Sequence, residues 1–177
     1  SAYELVPIKK AAPVEVETVD LSGSVVFELS NGSPMKVDYS NGVYTMKQAY
    51  YSGTEFRLLL ANNEPAYVYA LGSDATKKVF PIFPHKPNVS AYFPYTQAHI
   101  AIPDESHSIR MDQTVGTDYF CVLYSKVKLD IEDINNGIER ASGSFEQKVR
   151  SVLGNDMVNN SKISYSNRGT VSFSAKS

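Results

Sequence analysis

Short apolar runs separated by polar turn clusters fill most of this chain. Val25, Phe27 and Leu29 alternate with Val26, Glu28 and Ser30, a period of two that sets three large apolar groups on one face of a strand. Asn31-Gly32 then supplies the positive φ values of a tight hairpin, with Met35, Val37 and Tyr39 expected on the returning strand. Asn41-Gly42 is a second turn of the same chemistry, and further strands are predicted near 43–51, 55–61, 66–72 and 78–83. Ala98, Ile100 and Ile102 predict a strand over 97–102 with one apolar face, followed by strands at 108–112 and 117–125. The runs Phe56–Leu60, Ala66–Leu71 and Tyr119–Tyr124 are apolar at consecutive positions, the pattern of strands covered on both faces. Between 84 and 96 the pattern breaks. Pro84, Pro87 and Pro94 cannot donate to a ladder, so this segment is expected to be a long ordered loop or an edge crossing that carries Tyr92, Phe93 and Tyr95.

After Ser125 the period lengthens. Ile131, Ile134 and Ile138 lie three and four apart behind Asp130, a capping residue. Ser144 and Gln147 form a capping box ahead of the stripe Phe145, Val149, Val152 and Leu153, and Gly154 ends the helix. The tail returns to period two, with Ile163 and Tyr165, a turn at Asn167-Arg168-Gly169, then Val171 and Phe173. The predicted fold is mainly antiparallel β, a sandwich or partly open barrel, with two short α-helices near the C-terminus. Residues 1–19, interrupted by Pro7 and Pro13, read as an N-terminal arm; 20–128 as the β core; and 129–177 as a helical excursion and terminal hairpin packed on the same domain.

Composition narrows the functional classes. In 177 residues, 42% are hydrophobic and 20% charged, enough for a single packed domain and unlike a disordered chain. The net charge of −2, with only the isolated pairs Lys9-Lys10 and Lys77-Lys78, gives no basic field to gather nucleic acid. No apolar stretch reaches the roughly 18 residues of a membrane helix. Cys121 stands alone in an apolar run, which points to a packing role. The chain opens on Ser1-Ala2, from which removal of a leader or tag, and export, are an expectation.

No reactive constellation stands out. His85, His99 and His107 lie fourteen and eight residues apart without a nearby cysteine, so no metal site is expected, and they read as solvated loop and strand residues. No serine sits in a nucleophile elbow, and Ser144 is explained by its cap. Asp104-Glu105 lacks the alternating ligands of a calcium loop. A hydrolase would need dispersed groups, such as Asp112, Asp118 and His99, to meet in one cleft. Amphipathic rings on a proline-stiffened loop suit recognition, so the candidate binding residues are Tyr92, Phe93, Tyr95 and the outward-pointing His99. The competing expectation is that the loop folds back as a lid over the sheet.

Four segments occur in a telling order: Ala66-Tyr67-Val68-Tyr69-Ala70, Phe80-Pro81-Ile82-Phe83-Pro84, Ile100-Ala101-Ile102-Pro103 and Gly116-Thr117-Asp118-Tyr119-Phe120. Their order and spacing resemble the bacterial domain of unknown function 4384 family over residues 54–128, and the flanks are similar to longer members among envelope-associated proteins. The resemblance implies an accessory domain without a known catalytic residue set. The expectation is a non-catalytic binding or assembly module of the bacterial envelope, extracytoplasmic, without cofactor, whose partner is another protein or an envelope glycan. A dispersed hydrolase site and a purely structural spacer are the alternatives.

Overall fold

The computed structural model describes residues 19–40, 43–113 and 116–176. The expected arm, apart from Val19, and the Asn41-Gly42 turn lie outside them. Two antiparallel sheets face each other, and a helix pair covers the outer face of one of them.

The first sheet holds β1 (Val19–Leu29), β4 (Glu55–Asn62), β8 (Gln97–Ile102), β9 (Ile109–Arg110), β11 (Ile163–Tyr165) and β12 (Val171–Lys176). Its order is β11-β12-β1-β4-β8, with β9 beside the start of β4. The second holds β5 (Ala66–Ser73), β6 (Val79–Phe83), β7 (Tyr92–Phe93) and β10 (Tyr119–Ser125), with β5 central. A separate hairpin of β2 (Val37–Ser40) and β3 (Val43–Met46) completes the β structure. The architecture is a sandwich, and no closed barrel forms among the described residues.

The consecutive apolar runs resolve into two different situations. In β5, Ala66, Val68 and Ala70 pack toward the first sheet, whereas Leu71 packs on the opposite face beneath the helices. β10 divides likewise, with Phe120, Val122 and Tyr124 inward and Cys121 and Leu123 toward the helices. Both strands are covered twice, as their pattern predicts. β4 is not: Phe56, Leu58, Leu60 and Asn62 are buried, while Leu59 and Ala61 on its other face are half-buried.

The covering helices form as their caps dictate. Asp130 accepts from the Asp133 N–H at the start of α1 (Ile131–Arg140). Ser144 and Gln147 exchange both hydrogen bonds of the capping box at the start of α2 (Phe145–Leu153). Ile138 and Val149 meet Leu71 at the centre of this layer. Tyr69 is buried and its hydroxyl accepts from the Leu129 N–H at 2.9 Å, anchoring the approach to α1. Gly137 lets the helices close up, since a Cβ there would come within 3.2 Å of Val152.

Four expectations are corrected. The turn at Asn31-Gly32 exists, with Gly32 at φ +88°, but its returning segment touches β1 only around Pro34 and Met35. Pro34 has no N–H to extend a ladder, and β1 is occupied by β4 and β12, so β2 pairs with β3 instead. The strand expected at 43–51 stops at Met46, and that at 108–112 shrinks to two residues. Ala98 leaves the apolar face of β8, because Ala98 and His99 together oppose Ala61 in a β-bulge, with His99 at φ +58°. The tail hairpin joins the first sheet through β12 and β1, and Tyr44 ties the β2–β3 hairpin to it. The Tyr44 hydroxyl lies 2.7 Å from the Ser166 carbonyl, within a ring cluster with Tyr39 and Tyr165.

Candidate functional site

Two surfaces occupy opposite ends of the sandwich. The first collects the aromatic loop read from the sequence. It is not a free loop: Tyr92 and Phe93 form β7 against the start of β5, in register with Tyr67 and Ala66. The Val68 N–H donates to the Ala91 carbonyl, and Tyr92 N–H to Ser90 Oγ. Asn62, 1% exposed, donates through Nδ2 to the Tyr95 carbonyl at 3.0 Å, and Thr96 Oγ1 donates to the Asn63 carbonyl at 2.7 Å. The segment is therefore fixed at both ends.

Strand alternation divides its rings. Phe93 points inward and stacks on Phe83 at a centroid distance of 5.9 Å, so it belongs to the core. Tyr92 is 40% exposed and leans on Tyr67 at 4.7 Å, while Tyr95 is 63% exposed. The loop is thus lid and surface at once. His99 stands exposed at the same end, on the bulge beside the Asn62–Gln97 pair. Its imidazole makes no hydrogen bond or ion pair with a described residue.

The second surface was not legible as a unit. At the other end of β5 the sheets part around a cleft of about 250 Å³. Phe56, Ile82 and Phe120 line its floor; Phe80 and Tyr119, 42% and 44% exposed, line its sides. One face of the Tyr119 ring is stacked on Phe145. Asp74 brings a carboxylate to the lining from the β5–β6 connection, and Asp112 and Asp118 bring two more from the β9–β10 connection. Asp118 has its pKa raised, first by desolvation and then by the charges of Asp112 and Asp74. Arg110 also lines the cleft, but its guanidinium is held by Glu55 at 2.6 Å.

Asp112 and Asp118 therefore meet, as a dispersed hydrolase site would need, but His99 does not join them. It sits opposite Ala61, at the far end of β4 from Arg110, which is paired with Glu55. At about 3.3 Å per residue this places it about 20 Å from Arg110, the end of the sheet where the acid pair lies. Desolvation pushes the Cys121 thiol up to about 12, away from the thiolate form.

Of the other two histidines, His107 is an exposed loop side chain, as expected, whereas His85 is largely covered. His85, 23% exposed, places Nε2 3.3 Å from Asp104 Oδ2, and His107 places Nδ1 2.8 Å from Asp104 Oδ1. The His107 hydrogen bond, with the Ser106 N–H next, holds the Asp104 carboxyl down at about 2. His85 Nδ1 is buried without a hydrogen-bond partner among the described residues. This cluster clips the β6–β7 connection to the β8–β9 connection. Among the described residues no three His, Cys, Asp or Glu side chains are grouped to hold a metal ion, and no helix is long and apolar enough to cross a membrane.

No curated protein and no solved structure matches the chain. A family model does match, over β4 to β10 and the connections that carry both surfaces. The four motifs and this match agree: residues 49–128 belong to the family described as a domain of unknown function (DUF4384).

Proposed function

We propose that this protein is a non-catalytic binding module of the bacterial cell envelope, and that it engages a partner protein or an envelope glycan through Tyr92 and Tyr95. The observation that carries this reading is that both rings stand exposed on a segment fixed by β7–β5 pairing and by Asn62. Exposed rings on a fixed backbone bury large area on contact and lose little conformational freedom. Such rings are the usual anchors of interfaces. The envelope setting rests on the resemblance of the flanking segments to envelope-associated proteins.

The test is the double variant Tyr92→Ala/Tyr95→Ala, compared with the parent chain for retention on purified peptidoglycan and for capture of envelope proteins. Loss of a ring anchor costs about 1–2 kcal/mol or more each, so binding falls by at least tenfold. The melting temperature changes little, because neither ring belongs to the core. Undiminished binding by the double variant, or no binding by the parent, would refute the reading.

A further inference from the structure

The surroundings of the exposed tyrosines are free of charge. Residues 88–97 hold no charged side chain; Lys86 and His99 bracket the segment without entering it. The β4–β5 turn, tied to the segment by Asn62 and Thr96, adds one carboxylate, Glu64. That carboxylate is directed at Ser22, accepting from its N–H at 2.7 Å and its hydroxyl at 3.0 Å. Neutral hydrogen-bonding groups are plentiful instead. The Tyr67, Tyr92 and Tyr95 hydroxyls and the Gln97 amide make no hydrogen bond with a described residue. Tyr44, Tyr69 and Tyr124, by contrast, each bond theirs to a backbone carbonyl. Tyr95 has no ring partner among the described residues, and Tyr92 gives at most one face to Tyr67. We propose, resting on the reading of Tyr92 and Tyr95 as the binding surface, that its occupant is an uncharged, N-acetylated glycan. One sugar ring stacks on Tyr95 and another on the open face of Tyr92.

A hexopyranose matches these groups twice over. Its ring C–H bonds are weakly positive and meet the negative face of an aromatic ring. Its hydroxyls donate to and accept from phenols, and an acetamido group offers the donor and acceptor that complement the Gln97 amide. Three residues of extended chain span at most about 11 Å, so a short oligosaccharide reaches both tyrosines. Other occupants match less well. An anionic polymer finds no cation in residues 88–97, and a peptide finds no charge there to set its register. A purely apolar ligand would strip water from the three hydroxyls without replacing it. Phe93, the one ring of the segment without a hydroxyl, is turned inward onto Phe83 and offers such a ligand nothing.

The probe is chitohexaose, a soluble uncharged N-acetylated hexasaccharide, titrated into the intact chain and followed by amide chemical shifts. Shifts are expected at residues 66–67 and 90–97. The affinity should hold when salt rises from about 0.05 M to about 0.5 M, which shortens the screening length roughly threefold. Tyr95→Ala is expected to weaken binding about tenfold, and Tyr95→Phe to cost less because the ring face remains. Equal binding by Tyr92→Ala/Tyr95→Ala would put the sugar elsewhere and overturn the proposal, as would an affinity that falls with salt. No shift with chitohexaose, while the parent still captures an envelope protein through Tyr92 and Tyr95, would overturn the glycan and leave the tyrosine surface standing. Failure of both would remove the surface itself.

Discussion

Gly23 occupies a point where the two sheets leave no room for a methyl group. A Cβ there would lie 2.6 Å from the Ala61 carbonyl oxygen and 2.7 Å from the Tyr124 ring. That ring crosses from β10 and donates its hydroxyl proton to the same Ala61 carbonyl at 2.9 Å. Desolvation accordingly raises the Tyr124 pKa. The backbone oxygen cannot yield without breaking the β1–β4 ladder, so the strain of Gly23→Ala falls on Tyr124 and its packing against Phe173. Overpacking of this kind costs about 1–3 kcal/mol, or roughly 2–10 °C in a domain of this size. Thermal unfolding of Gly23→Ala checks it, and a melting temperature within a degree of the parent would show that the sheets separate more easily than this contact implies. Nothing in the local pattern Leu21-Ser22-Gly23-Ser24 marks the position, because both obstructing groups arrive from strands distant in sequence.

Elements whose signals are local were legible, and those assembled from distant parts were not. The helix starts at Asp130 and Ser144 declare themselves within four residues, and both caps form. Strand cores at 55–61, 66–72 and 117–125 follow from composition, whereas the pairing of β1 with β12 depends on partners almost 150 residues away. The tyrosine surface was visible as a proline-studded aromatic segment. The cleft was not, since Asp74 and Phe80 come to it from a different part of the chain than Asp112 and Asp118, and neither was the His85–Asp104–His107 clip. That clip has a pH signature. The Asp104 carboxyl, held at about 2 against an ordinary value of 3.8, is depressed on folding. Its contribution to stability is therefore complete above the ordinary value and disappears as pH falls through about 2. Urea midpoints of the parent should drop more steeply between pH 4 and pH 2 than those of Asp104→Asn, in which the other carboxylates still titrate. Parallel profiles would mean that the clip contributes nothing to folding.

At the scale of the molecule, the boundaries of the family segment and of the folding unit do not coincide. Residues 49–128 supply the whole second sheet, but only β4, β8 and β9 of the first. The strand that covers the other edge of β4 is β1, and Val25 and Phe27 of the inner layer come with it. Among the described residues, the outer face of the second sheet, Leu71, Cys121 and Leu123, is closed mainly by Ile138, Val149 and their neighbours on α1 and α2. A fragment cut to 49–128 would thus expose an unpaired edge on β4 and an apolar face on β5 and β10, each a template for aggregation. Burying each of these large side chains is worth about 1.5–3 kcal/mol, and a domain's net stability is only about 5–15 kcal/mol, so losing both layers removes the margin. The intact chain is expected to unfold in one cooperative transition by circular dichroism, and the 49–128 fragment to show none and to bind a hydrophobic dye. A fragment that melts cooperatively within a few degrees of the intact chain would show that the helices and the β1–β12 ladder decorate a self-sufficient core instead of completing it.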